Sequence, residues 1–374
     1  PISDNEPYWQ CYDRDMLAIG LMSGTSLDGI DAALIESDVE LVTTRLGGVT
    51  IPYDTQFRDS LRACLGAREW SAEIRLAEME LTDLHAETVS LLLKTLSVPR
   101  DAVDLIGFHG HTITHDPAFK FTWQLGAGSD LAKFTGIDVV AKFRNADVAS
   151  GGEGAPLVPA YHCALARNLP KPIVFLNLGG VANVTWVGKG DRLLAFDTGP
   201  ANALIDDWIA ERTDKFFDEG GEIAATGQVD EAGLERLLGN KFFARPSPKS
   251  LDRNEFNIAA LKGLSLEDGA ATLSAFTVES VVFALRQFLC LPTRIVVTGG
   301  GRNNTHIMGL LAKRVNIPID PAEAVGWNGD LLEAEAFGYL AIRSVLNLPI
   351  SWPTTTGVKI PLIGGQFFSK DHCD

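Results

Sequence analysis

Residues 17–35 read LAIGLMSGTSLDGIDAALI. Two apolar runs, residues 17–21 and a second starting at Ala32, flank Ser23-Gly24-Thr25-Ser26 and Asp28-Gly29. This pattern predicts a β-hairpin whose tip carries small residues, hydroxyls and one carboxylate. Two explanations fit such a tip: a tight turn, or a backbone that closes on a ligand rich in negative oxygen. NLGGVAN (177–183) repeats the arrangement after an apolar strand at 173–176, and TGGGRNN (298–304) follows a strand at 294–298. Glycine lets successive amides converge on an anion, because no side chain intervenes and positive φ is accessible. None of the three is followed by the Gly-Lys-Ser/Thr of a P-loop, and none is a GxGxxG fingerprint. Singly each reads first as a tight turn; jointly, tight turns and a clamp for a nucleoside triphosphate are evenly matched. The loops contain no lysine, so in a clamp magnesium would offset much of the phosphate charge.

Outward from these turns, strands are expected at 15–22, 31–37 and 40–50, and a helix at 69–96, where Ile74, Leu81, Leu84 and Leu92 recur at helical spacing. A short buried strand at 103–108 leads into the polar segment GFHGHT (107–112), and another at 137–141 leads into RNADVASGGEGAPLVP, a glycine-rich boundary. The second half restarts at 173–176 and has a strand at 193–196 ending in Asp197-Thr198-Gly199-Pro200. Helices follow at 201–211, 271–288, 304–315 and 331–346, with a charged, proline-containing insertion at 213–256. Each half opens with strand, glycine turn and strand, then continues into helices, which suggests an internally duplicated α/β unit.

The chain has 374 residues, more than one hydrophobic core usually holds, so two domains are expected. With 46% hydrophobic and 21% charged residues it is an ordinary folded globule. No apolar run reads as the roughly 20 residues that cross a bilayer, and the acidic, polar start is unlike a secretory signal. Five scattered cysteines without a CxxC suit a reducing compartment. A formal charge of −16 without a basic stripe argues against a nucleic-acid partner.

Asp28 and Asp197 each sit at a glycine-bearing strand end. A carboxylate there either orients metal-bound water or accepts a proton from an attacking oxygen; the plainer role is an Asx-turn or helix cap. Asp147 and Glu153 flank a glycine pair, as substrate contacts or solvated turn residues. His109, His111 and His115 form HxHxxxH, in which His109 and His111 of an extended segment share a face. A transition metal, polar substrate contact and purely structural imidazoles are the three readings, and no fourth ligand with recognisable spacing favours the metal. Arg144 is the best-placed cation, or a surface ion-pair partner. Glu333 and Glu335 lie two apart on one predicted helix, so one helix face cannot present both equally. Trp327, Phe337 and Tyr339 read as packing.

GLMSGTSLDGIDAALI, GFHGHTITHDP, DVASGGEGAPLVPAYH, NLGGVANVT, FDTGPANALIDDW, FDEGGEIAATG, TGGGRNN and LLEAEAFGYLA occur in this order. Together they resemble the anhydro-N-acetylmuramic acid kinase family over nearly the whole chain, from about Met16 to Leu346. The resemblance implies the two-lobed, duplicated α/β fold of actin-like ATPases (ribonuclease H-like), with a central nucleotide cleft. It implies a cytoplasmic homodimer using ATP and Mg2+ on a small anhydro sugar, with neither membrane nor nucleic acid as partner. The reaction implied opens the 1,6-anhydro bridge of anhydro-N-acetylmuramic acid with water and phosphorylates O6. The lobes are expected at 14–145 with 352–374, carrying the first phosphate loop and part of the sugar site, and at 146–351.

Residue by residue, the resemblance assigns Gly24, Thr25, Ser26, Asp28 and Gly29 to the first phosphate loop, with Asp28 on the magnesium side, through water. Gly179 and Gly180 match the second phosphate loop, and Gly299, Gly300, Gly301 and Asn303 the loop near the nucleoside. Asp197 matches the catalytic base. His109, Thr112, Arg144, Asp147 and Glu333 match the sugar side. The chain departs from the family pattern at His111 (HGQT), at Gly126-Ala127-Gly128 (GNP), at Glu153 (GGQGAP) and at Ala201 (GPGN). These departures lie on the sugar side, so a kinase of a related 1,6-anhydro sugar such as levoglucosan is the nearest alternative. A nucleotide-gated interaction protein without sugar turnover is the alternative of another class.

Overall fold

The computed structural model describes residues 15–24, 27–38, 42–251 and 255–371. Two compact units emerge. The first runs to Arg167 and regains Leu331–Pro353 and the chain from Gly357 onward; the second comprises Asn168–Asp330 with Thr354–Thr356. The expected division after residue 145, with 331–351 in the second lobe, is therefore not the division that the chain contacts make.

In the first unit, β1 (Met16–Ser23), β2 (Gly29–Ser37) and β3 (Val42–Pro52) form an antiparallel meander. β4 (Leu105–Asp116) joins parallel to β1, β5 (Phe121–Leu125) pairs antiparallel with β4, and β6 (Val139–Ala141) is parallel to β4. The C-terminal strand Gln366–Phe368 closes this seven-stranded sheet against β6. β1 is almost continuously apolar because both its faces are covered. β4 outruns the expected 103–108: its polar residues stay in the ladder because β5 pairs with them from His111 to Asp116. The helices are α1 (Thr55–Cys64), α2 (Ala72–Leu96), α3 (Gly128–Thr135), α4 (Asn145–Ala149) and α5 (Pro159–Leu165). Ser71 caps α2 by accepting from the Ile74 amide, and Ser97 ends it in a left-handed conformation.

The second unit repeats the topology. β7 (Ile173–Leu178), β8 (Val181–Val187) and β9 (Leu193–Pro200) are an antiparallel meander, β10 (Arg294–Thr298) is parallel to β7, and β11 (Ile319–Pro321) is parallel to β10. The strand order β11-β10-β7-β8-β9 matches β6-β4-β1-β2-β3 of the first unit, which is the duplication that the sequence halves suggested. Its helices are α6 (Asn202–Ala210), α7 (Glu231–Leu238), α8 (Leu266–Leu285) and α9 (Thr305–Arg314). α8 corrects the expected amphipathic helix at 271–288. By length and composition alone it could cross a membrane, but 78% of its most apolar window is buried, among residues such as Phe256, Leu234 and Ile307.

The last helix, α10 (Leu332–Val345), belongs to the first unit and lies on β1 and β4. Its approach is too close for any side chain beneath it. A Cβ on Gly20 would sit 1.7 Å from the Ala334 carbonyl oxygen, and one on Gly107 would sit 2.0 Å from that of Phe337. Backbone cannot yield as a flexible side chain can, so Gly107→Ala is expected to cost ~3 kcal/mol and lower the melting temperature. Gly309→Ala, inside α9 with open space around it, is the control and should stabilise by ~0.5–1 kcal/mol. Thermal melts of the two variants check this; a melting temperature for Gly107→Ala equal to wild type would contradict the packing.

Candidate active site

The first glycine turn joins β1 to β2. Thr25 and Ser26 lie outside the described residues. Around them the Leu27 amide donates to the Gly24 carbonyl (3.1 Å), the Tyr53 amide donates to the Asp28 carbonyl (3.0 Å), and the Asp28 side chain is exposed. Gly29 is needed for proximity, because a Cβ there would lie 2.3 Å from the Ile51 carbonyl oxygen. Behind the turn, Ser23 Oγ is 2.6 Å from the Tyr53 hydroxyl and 2.8 Å from His111 Nδ1. His111 is fully buried, and burial pushes its pKa down to about 4 although Asp28 opposes this. Its Nε2 has no partner among the described residues.

A second cluster forms where β4 faces the start of α4. Arg144 donates from Nε and Nη2 to His109 Nε2 (3.1 and 3.0 Å) and from Nη1 to the Gly154 carbonyl (2.8 Å). A guanidinium only donates, so His109 Nε2 must be an acceptor; the ring proton is then on Nδ1, which donates to the Gly110 carbonyl at 2.8 Å. Burial first, and Arg144 second, hold this imidazole neutral, with a pKa well below the usual value. Asp147 accepts from the Gly154 amide at 2.7 Å, bracing the GGEGAP loop. His115 bonds to Thr122 and to the Glu153 carbonyl. Thus the structure brings together His109, Arg144 and Asp147, with buried, neutral imidazoles. Among the described residues there is no cluster of three metal-ligating side chains. Thr112 is half-buried and accepts from Gln124 Nε2. Gln124, which carries no signal in the sequence, keeps a buried Oε1 without a partner among the described residues.

Glu333 is half-buried in the first turn of α10. Glu335, the other member of the pair, is buried and accepts from the Tyr161 hydroxyl at 2.6 Å. The turn at Gly126 and Ala127 is held by α2, through Glu78 and Thr82.

In the second unit two glycine turns adjoin. The carbonyls of Gly179 and Gly180 accept from the Asn202, Ala201 and Ala203 amides at the start of α6. Gly299 has φ +74, and a Cβ there would lie 2.2 Å from Asn177 Oδ1 and 2.8 Å from the Leu178 carbonyl. Gly301 abuts Leu178 in the same way, whereas Gly300 faces open space and Asn303 is exposed. Arg302, another residue without a sequence signal, locks this loop: it is buried, donates to the Gly299 carbonyl and pairs with Glu323 and Asp330. The FDEGG motif is part of the same assembly. Asp218 is buried and accepts from the Ile223 and Ala224 amides, while Gly221 packs against Asn304 and His306.

Asp197 lies on β9 at an irregular register opposite Asn183. Its amide donates to the Lys249 carbonyl (2.9 Å), and its Oδ2 accepts from the Leu251 amide (2.8 Å). The carboxylate is half-buried and tied to a segment more than fifty residues away.

The family model for anhydro-N-acetylmuramic acid kinase matches residues 16–370. The chain belongs to the anhydro-N-acetylmuramic acid kinase family. It is 51% identical over 357 residues to the anhydro-N-acetylmuramic acid kinase of Rhizorhabdus wittichii, covering 94% of this chain and 98% of that one. It is 48% identical over 359 residues to that of Rhodospirillum rubrum, covering 95% of each. Membership of the anhydro-N-acetylmuramic acid kinase family makes the chain an ATP-dependent sugar kinase. Its fold is similar to that of (R)-2-hydroxyglutaryl-CoA dehydratase component A from Acidaminococcus fermentans, at a TM-score of 0.50, 11% identity and coverage of 88% and 99% of the two chains.

The buried Glu335 of this family member generates a prediction. Burial raises its pKa above the ordinary carboxylate value, while Tyr161 and then Arg45 oppose the shift. A raised folded-state pKa means that the folded chain binds the proton more tightly, so this group's contribution to stability falls as pH rises through the folded pKa. Glu335→Gln removes that slope. From pH 4 to pH 7 the melting temperature of wild type should fall relative to that of Glu335→Gln, and a constant difference would exclude the assigned burial effect.

Proposed function

We propose that this kinase acts on 1,6-anhydro-N-acetylmuramic acid, adding water across the anhydro bridge and phosphate to O6, to give N-acetylmuramic acid 6-phosphate and ADP. The observation that carries the mechanism is the fixed carboxylate of Asp197, oriented by the Leu251 amide within β9, beside an irregularity of its register with β8. Asp197 takes a proton from water as the water oxygen bonds to C1 and the C1–O6 bond breaks. O6 then bonds to the γ-phosphorus, the bond to ADP breaks, and the proton on Asp197 passes to solvent. Because the alkoxide is consumed as it forms, no separate strong acid is required. The rate advantage is that of proximity, which asks that water, sugar and triphosphate be held together.

Gly24, Thr25, Ser26, Gly29, Gly179 and Gly180 are the proposed phosphate contacts, and Gly299, Gly300, Gly301 and Asn303 the nucleoside-side contacts. Main-chain amides suit a chain of net charge −16, since they add local positive potential without a lysine. Asp28, exposed beside hydroxyl-bearing residues, offers the hard oxygen donors that suit Mg2+ held through water. Bound there, the ion would offset triphosphate charge. Arg144, fixed between His109 and Gly154, is the cation suited to a sugar carboxylate, with His109, Thr112, Asp147 and Glu333 as further sugar-side residues. Magnesium dependence, a homodimer and a cytoplasmic location complete the reading.

The departures at His111, Ala127, Glu153 and Ala201 keep levoglucosan as a second substrate reading. Incubation with Mg-ATP and either sugar separates the possibilities by mass. The expected result is a gain equal to phosphate plus water on anhydro-N-acetylmuramic acid. The same gain only on levoglucosan would transfer the assignment, and ADP release without a sugar product would favour an interaction protein. Asp197→Asn should lower turnover ~100-fold or more while ATP still binds; near-wild-type turnover would remove Asp197 from its role.

A further inference from the structure

The segment 213–256 reads in sequence as an insertion without a role, yet it supplies two main-chain ties to Asp197. Lys249, whose carbonyl is one of those ties, is only 6% exposed. Its ammonium donates to the Phe242 carbonyl at 2.9 Å and lies 4.1 Å from the centre of the Phe242 ring. A lysine so enclosed has lost most of its hydration, and its carbonyl and ring contacts replace only part of it. Burying a cation at that cost is unusual for a purely structural purpose, where leucine or methionine would pack as well.

We propose that Lys249 is a positioning residue for Asp197: its enclosed ammonium, bonded to the Phe242 carbonyl, anchors the 249–251 backbone whose carbonyl and amide fix the direction of the carboxylate. The inference rests on Asp197 being the base. Burial first, and repulsion from Arg245 second, push the pKa of Lys249 down against the attraction of Asp197 and Glu255, to about 8. The ammonium is therefore charged below that pH and neutral above it. The charge-assisted part of its bond to the Phe242 carbonyl is lost as pH rises through this value.

Three variants test the proposal on the full-length chain, with ATP and the anhydro sugar that it turns over. Wild type should lose turnover as pH rises through about 8. Lys249→Arg, which stays charged across this range, should retain most of the turnover and lose that alkaline limb. Lys249→Met should lower kcat ~10-fold or more, equivalent to about 1.4 kcal/mol of barrier, with an unchanged KM for ATP and no limb near pH 8. In the Asp197→Asn background, measured under single-turnover conditions, Lys249→Met should cost nothing further. Wild-type kcat in Lys249→Met would overturn the proposal. So would an alkaline limb that persists in both Lys249 variants, or a parallel loss of kcat and ATP affinity, which would mark a merely structural lysine. Equal losses from Lys249→Met with and without Asp197 would also overturn it while leaving Asp197 as the base. Full activity of Asp197→Asn alone would instead fail the underlying reading.

Discussion

The first unit depends on a contact that no side chain makes. α10 lies so near the sheet that its carbonyl oxygens occupy the space where Cβ atoms of Gly20 and Gly107 would stand. A helix held at this distance fixes everything attached to it. Phe337 reaches the His109 ring, whose centre is 4.5 Å away, and Glu335 reaches the Tyr161 hydroxyl. His109 is in turn the acceptor for Arg144. The chain from glycine to guanidinium is thus one of rigid packing followed by hydrogen bonds, and a shift of the helix would be felt at the arginine.

The second unit solves a similar problem with turns. Gly299 and Gly301 let the third glycine loop settle on the tip of β7, and the carbonyls of Gly179 and Gly180 receive the first amides of α6. Arg302 then ties the loop to Glu323 and Asp330. These two carboxylates are about half or more exposed, so the ion pairs alone stabilise little. The larger effect is that a buried guanidinium needs all of its partners, which leaves the Gly299 carbonyl one place to be.

Much of this was legible in the sequence because it is local. The hairpins announce themselves by apolar runs broken at glycine, and the two halves repeat the pattern closely enough to predict the duplication. What the sequence could not disclose are pairings between distant residues. Nothing around Lys249 points to Asp197, and nothing around Tyr161 points to Glu335, since each partner lies more than fifty residues away. The membership of residues 331–353 in the first unit was hidden for the same reason: the glycines that admit α10 are on β1 and β4, and a lone glycine in a strand has several meanings. The sequence shows β4 only to residue 108 because polar residues ordinarily end a buried strand, whereas here β5 and Ser23 satisfy them.

The two units also treat buried polar groups differently, and the difference follows from chemistry. In the first, His109 and His111 are kept neutral by burial, so each can offer one donor and one acceptor in a fixed direction. His109 spends both ring nitrogens inside the protein, on Arg144 and the Gly110 carbonyl, and His111 spends Nδ1 on Ser23, all without adding charge. In the second, the enclosed side-chain cations bind main-chain carbonyls: Arg302 that of Gly299 and Lys249 that of Phe242. His111 fits the first pattern although the family motif has glutamine there. Both side chains present a donor and an acceptor, and the bond of His111 Nδ1 to Ser23 keeps the link to the first glycine turn while Nε2 stays free of any described partner. The substitution therefore changes the shape of this buried corner more than its polarity.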